Sequence, residues 1–338
     1  MKRLLEVDNL HFSFKTYGGE VKAVRGVTFY VDEGEVLGIV GESGCGKSVT
    51  AQCIMRLNPE PPGYFKQGSI KYKGTEITSL SKREIKKIRG SEIGMIFQDP
   101  MTSLNPTMKI GKQIEESVMN NMSVSRSEAK TRAVEMLKLV GISDAEKRYT
   151  QYPHEFSGGM KQRAMIAIAM ACNPSLLIAD EPTTSLDVTI EAQILDLMKE
   201  LQLKFNTSII MITHDLGVIA SLCHRIIVMY GGMVVEQGDL HEIFYNPKHP
   251  YTWGLLKSVP TLNMDKKEQL IPIDGTPPDL FSPPIGCPFA ARCEYAMEIC
   301  YEQLPPEYEI TVKHSTMCWL QHPNAPEVIW QETNEGAL

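Results

Sequence analysis

Residues 41–48, Gly-Glu-Ser-Gly-Cys-Gly-Lys-Ser, have the types and spacing to hold a polyphosphate. They match G-x-x-x-x-G-K-[ST], in which glycines let consecutive backbone N–H groups curl inward on an anion. Gly41, Gly44 and Gly46 fill that role, with Ser43, Cys45 and Val49 completing the cradle. Lys47 is placed to reach β- and γ-phosphates, and the Ser48 hydroxyl to bind Mg²⁺. The loop lies between the apolar run Val36–Val40 and a helical pattern from Val49 to Met55, the strand-to-helix context that the chemistry requires. A glycine-rich packing turn is the bland alternative, and this context argues against it. The loop predicts binding of a nucleotide triphosphate. At a helix N-terminus the Cys45 thiol is expected to have a lowered pKa and to react readily; otherwise it is a small residue tolerated in a variable position.

Further candidates sit at strand ends and helix starts. Leu176–Ala179 is a buried-strand pattern that ends in Asp180 and Glu181. A carboxylate leaving a central strand suits Mg²⁺, and a second acid suits a general base for an attacking water. Gln98 follows another strand pattern, and His214 follows Ser208–Ile212. A histidine there can reach a γ-phosphate, although a lone histidine is more often structural. Ser157-Gly158-Gly159 opens a helix whose Met165, Ile166, Ala169 and Met170 read as core. It is a second anion-binding end or simply a capped turn. Tyr17, ahead of the hairpin signal Gly18-Gly19, either stacks on an adenine or covers core.

The elements that position these residues alternate between strands and helices, which predicts an α/β fold with a parallel sheet and ligands at its C-terminal edge. Residues 4–40 read as strands broken by turns, 108–141 as polar helices capped by Gly141, and 225–236 as a closing hairpin. The 338 residues suit one large and one smaller domain, and 43% hydrophobic with 22% charged content is ordinary for a globular chain. A net charge of −7 argues against a broad nucleic-acid surface. The start turns acidic before a signal peptide could form, and no apolar run is long enough for a span, so an intracellular chain is expected.

In this order the motifs resemble the ATPase subunit of ATP-binding-cassette (ABC) transporters over about 1–245. The resemblance makes Gly41–Ser48 the Walker A loop, Gln98 the Q-loop, Phe156–Met160 the signature, and Leu176–Asp180 the Walker B strand with Glu181 as catalytic glutamate. It also makes Ser185–Asp187 the D-loop at a dimer contact, His214 the switch histidine and Tyr17 the adenine platform. Mg²⁺ would be held by Ser48, Gln98 and Asp180. Phe156 and Met160 depart from the commoner Leu and Gln but leave Ser157, Gly158 and Gly159 intact. The implied fold is a P-loop NTPase with a RecA-like parallel core, an antiparallel β subdomain and a helical subdomain near 100–160. The implied mechanism is a head-to-tail dimer, each signature closing over its partner's ATP. Asp99–Pro106 and Asn246–Thr252 resemble the branch importing di- and oligopeptides or nickel. That branch implies a non-identical second ATPase, two permeases, an external peptide-binding protein and a place on the cytoplasmic membrane face. A soluble ABC ATPase acting on DNA or ribosomes is the rival, but neither a second cassette nor a long coiled-coil insertion is present.

The region 246–338 is expected to be a small separate domain. From 272 onward it carries ten of the chain's 21 prolines and no hydrophobic periodicity, so a staple is expected. Cys287, Cys293, Cys300 and Cys318 read C-x5-C-x6-C-x17-C, without the close pairs that zinc favours. The spacing suits a [4Fe–4S] cluster, which the family branch also implies; zinc or unligated thiols are the alternatives, with His314 a ligand only in those.

Overall fold

The computed structural model describes residues 2–184, 186–258, 272–328 and 330. The chain divides into two compact units, each built from separated stretches: Met1–Leu5, Tyr30–Val36 and Lys71–Ile212 in one, and Glu6–Phe29, Leu37–Ile70 and Thr213–Leu338 in the other.

In the first unit the strands Ile93–Ile96, Leu176–Asp180 and Ser208–Ile212 run parallel, with Leu176 paired to both Ile93 and Ser208. Every residue of the three is buried, as continuous apolar runs demand when both faces are covered. The polar stretch after residue 108 resolves into helices Ile110–Asn121 and Arg126–Leu139. The second is closed at its start by a capping box of Ser125 and Glu128, and Gly141 follows it at φ 74°. Its buried face is Ala129, Ala133, Met136 and Leu137, with Val134 half-buried beside it. Helix Gly158–Met170 buries Met165, Ile166, Ala169 and Met170 as expected. Each buried Met, Leu or Ile among them contributes about 2 kcal/mol.

The second unit holds most of the hairpin Arg3–Thr16 and Gly19–Asp32 and of the strand Gly63–Tyr72. Its Leu37–Val40 segment pairs parallel with Arg225–Tyr230, which turns through Gly231-Gly232 into the antiparallel Met233–Asp239. The tail also contains strands that its lack of hydrophobic periodicity did not announce. His314–Thr316 adds to Met233–Asp239, and Tyr308–Thr311 adds to His314–Thr316, both antiparallel. Phe289 is 3% exposed and packs its ring on Tyr230 and Tyr251. Two strands of four and three residues are too short to show alternation, so periodicity could not reveal them. No helix among the described residues is long and apolar enough to cross a membrane.

Candidate active site

The phosphate loop lies in the second unit. Gly41 has φ 151°, and a Cβ there would collide with the Met229 carbonyl; Gly46 has φ 101°, and a Cβ would stand 2.6 Å from the Ala23 carbonyl. Both positions therefore require glycine. Gly46 is the N-cap of helix Lys47–Ile54 and supplies no side-chain cap. Lys47 is only 6% exposed. Its ammonium donates to the carbonyls of Gly41 at 2.7 Å and Glu42 at 2.9 Å, and lies 3.7 Å from the Cys45 sulfur. Ser43 and Gly44 are exposed on the rim, while Ser48 and Val49 are half-buried at the helix start. Cys45 departs from expectation: it is 4% exposed, and burial pushes its thiol pKa up, outweighing Lys47. The helix end that would favour a thiolate is overridden by desolvation.

Elsewhere in this unit Tyr17 projects fully into solvent at the hairpin tip, and His214 is exposed just past the strand Ser208–Ile212. Two residues to which the motif reading gave no role, Tyr251 and Arg292, hold the loop. The Glu42 N–H donates to the Tyr251 hydroxyl at 2.8 Å, and the Glu42 carboxylate accepts from both Arg292 terminal nitrogens at 2.6 and 2.9 Å. The single arginine between Cys287 and Cys293 was the available signal.

The first unit brings together the other candidates. Asp180, 5% exposed, ends its strand, and the Glu181 N–H donates to the Ile212 carbonyl at 2.8 Å. Glu181 then takes φ 47°, a left-handed conformation that costs a non-glycine residue about 1 kcal/mol and turns the chain sharply out of the sheet. Its carboxylate accepts from Gln98 Nε2 at 2.8 Å and from the Thr184 hydroxyl at 2.9 Å. A carboxylate held by an amide and a hydroxyl is oriented for proton acceptance.

Ser157 caps helix Gly158–Met170 by accepting from the Met160 N–H, and is exposed. A Cβ on Gly158 would meet nothing within 4 Å, whereas one on Gly159 would stand 2.9 Å from Ile190. From the same helix Gln162 donates to the Pro182 carbonyl, one residue beyond Glu181. Asp187 caps helix Val188–Phe205 through the Ile190 N–H at 2.9 Å; Ser185 lies outside the described residues.

In the tail, Cys287, Cys300 and Cys318 are buried and Cys293 is half-buried. Burial pushes the Cys287 thiol up to about 12 and Cys293 up to about 11, and neighbouring thiols of the set add to both. Cys318 is raised by burial and by all three others. Among the described residues no three Cys, His, Asp or Glu side chains converge closely enough for one metal ion. His314 is fully buried against Glu236, Nε2 to Oε1 2.8 Å, and so is committed elsewhere.

Comparison with known proteins gives two family matches: "ABC transporter" over residues 24–184, and "Oligopeptide/dipeptide transporter, C-terminal region" over 235–300. The oligopeptide transport ATP-binding protein OppD of Bacillus subtilis is 62% identical over 326 residues, 96% of this chain and 91% of that protein. The dipeptide transport ATP-binding protein DppD of Lactococcus lactis is 53% identical, covering 97% and 93%. A solved ATP-binding cassette, dimeric in a post-hydrolysis state with ADP and Pi, aligns with a TM-score of 0.63 at 28% identity, covering 70% of this chain and 99% of that one.

Proposed function

Since this chain belongs to the ABC family of transporter ATPases, in its oligopeptide and dipeptide branch, we propose that it binds and hydrolyses ATP to power import of di- and oligopeptides through a membrane transporter. The observation that carries this reading is the phosphate loop, where a buried lysine is folded onto loop carbonyls at a helix start without a side-chain cap. A phosphate supplies that cap, and the Lys47 ammonium transfers to it from Gly41 and Glu42.

Ser43, Gly44, Cys45, Gly46 and Val49 line the polyphosphate, and Tyr17 stacks on the adenine. Ser48, Gln98 and Asp180 would hold Mg²⁺, which neutralises charge on the phosphate oxygens. The oxygen donor set of hydroxyl, amide and carboxylate suits that hard cation. Glu181 accepts the proton of the attacking water, Gln98 orients Glu181, and His214 reaches the γ-phosphate. Ser157, Gly158 and Gly159 close over the ATP of a second, non-identical ATPase, with Asp187 at the contact. The assembly includes two permeases fed by an external peptide-binding protein and places this chain on the cytoplasmic membrane face. Residues 1–245 form the ATPase domain, with its helical part at about 100–160, and 246–338 the cysteine-bearing extension.

For that extension we favour a [4Fe–4S] cluster on Cys287, Cys293, Cys300 and Cys318. A single zinc would need sulfurs about 3.8 Å apart, from a Zn–S bond near 2.3 Å. The C-x5-C-x6-C-x17-C spacing, without close pairs, suits a larger core. Iron, sulfide and zinc analysis of anaerobically purified protein decides this: about four irons and four sulfides are expected, and one zinc contradicts it.

The transport reading is tested by reconstituting the chain with its partner ATPase and permeases in liposomes, with the binding protein outside. ATP-dependent accumulation of a labelled tripeptide is expected. Uptake of Ni²⁺ without peptide uptake would assign the chain to nickel import instead.

A further inference from the structure

Arg292 uses every guanidinium N–H it has, and its targets link the cysteine-bearing tail to the phosphate loop. Nε donates to the Asp274 carbonyl at 2.8 Å, and the terminal nitrogens donate to Glu42, to the Tyr230 hydroxyl at 3.0 Å and to the Ile273 carbonyl at 2.9 Å. Five donors meet five acceptors, an arrangement that lysine cannot reproduce. The Arg292 side chain is 5% exposed and that of Glu42 26%, so the pair is largely shielded from water. Pairing with Glu42 also raises the Arg292 pKa, which keeps it charged at all working pH values. Tyr251 holds the Glu42 backbone from another side, and the rings of Tyr230, Tyr251 and Phe289 pack together beneath the pair.

The same tail grips the hairpin that carries Tyr17. The Leu280 carbonyl accepts from Lys22 N–H at 2.9 Å, the Pro284 carbonyl from Arg25 at 3.3 Å, and Phe281 lies beside Gly18. One segment therefore touches both the loop for the phosphates and the hairpin proposed for the base.

We propose that Arg292 is a positioning residue for nucleotide binding: with Tyr251 it clamps Glu42, so that the phosphate loop keeps its open curl when the Lys47 ammonium leaves the loop carbonyls for a phosphate. Lys47 holds the carbonyl of the same Glu42 at 2.9 Å. When that contact is given up, the carbonyl keeps the Cys45 N–H at 3.3 Å, and the clamp fixes the rest of Glu42, its N–H and its carboxylate. The inference rests on the ATP-binding reading and adds that the tail sets the affinity of the site.

The test uses the full-length chain and trinitrophenyl-ATP as a fluorescent probe, with steady-state hydrolysis alongside. Arg292→Lys keeps the charge and loses the fork; Glu42→Gln changes the loop end and leaves the tail untouched. Each should raise the Kd about tenfold, the scale of one lost charge-assisted pair, with KM following and kcat falling less than about twofold. The double variant should lose about tenfold, not a hundredfold, because both changes remove one interaction. Wild-type affinity in both single variants, or additive losses in the double, overturns the proposal. If Arg292→Lys does not fold, Glu42→Gln still decides. Equal binding by wild type and Lys47→Ala would overturn the ATP reading, and this inference with it.

Discussion

The helices Lys47–Ile54 and Gly158–Met170 both begin at glycine-bearing turns, and they begin differently. At Gly46 the N-cap has a positive φ of 101° and no side chain, the following lysine is buried, and the loop is packed from outside by Tyr251 and Arg292. At Ser157 the N-cap is extended, its hydroxyl already takes the Met160 N–H, and one face at Gly158 is open. The first start has no side-chain cap. The second is satisfied within the chain and presents an open surface, as expected of a turn that covers a nucleotide held by another subunit. The difference teaches that shared glycine chemistry does not make two equivalent anion sites. What surrounds the turn decides which one holds a ligand unaided.

The largest effect that would sharpen this contrast lies downstream of both turns. Glu181→Gln should cut turnover at least a hundredfold while ATP binding persists, since one positioned base supplies about 10² to 10⁴. A variant that hydrolyses at near wild-type rate would remove Glu181 from the mechanism. Matched alanine substitutions come next. Gly46→Ala should destabilise the fold by about 1–3 kcal/mol, because a left-handed residue gains a Cβ 2.6 Å from a carbonyl oxygen. Gly158→Ala should leave the melting temperature within about 2 °C. Thermal unfolding of the two proteins reads the contrast directly, and equal losses would break it. The smallest effect concerns Cys45. Buried with a raised pKa, it should react with maleimide at least about tenfold more slowly than a free thiol at neutral pH, even without nucleotide. Rapid labelling would mean that the loop opens.

Much of this arrangement was legible in sequence, for physical reasons that are local. The strand Val36–Val40 adjoins the glycines of the loop, and Leu176–Ala179 adjoins the acids Asp180 and Glu181, so each motif could be read together with its own context. Ser157 announced its cap because capping is a three-residue interaction. The hairpin through Gly231-Gly232 was equally plain, since turn residues and β-branched runs are adjacent in the chain.

What could not be read depends on distant partners. Glu42 and Arg292 are separated by 250 positions, and no spacing rule connects a loop acid to an arginine between two cysteines. The burial of Cys45 depends on the packing around the loop, so a rule about helix ends misjudged its thiol. The left-handed turn at Glu181 leaves no mark on residue type, because glutamate carries no preference for that conformation. The tail's short strands hid because they borrow an existing sheet edge at Met233–Asp239 instead of forming a core of their own.

The most direct test of the account is equilibrium ATP binding by the isolated full-length chain, comparing wild type, Lys47→Ala and Gly158→Asp. The account predicts saturable binding of one nucleotide per chain, lost in Lys47→Ala and unchanged in Gly158→Asp. Loss of binding in Gly158→Asp, or its retention in Lys47→Ala, would contradict the claim that the loop at Gly41–Ser48 holds the nucleotide and the turn at Ser157 does not.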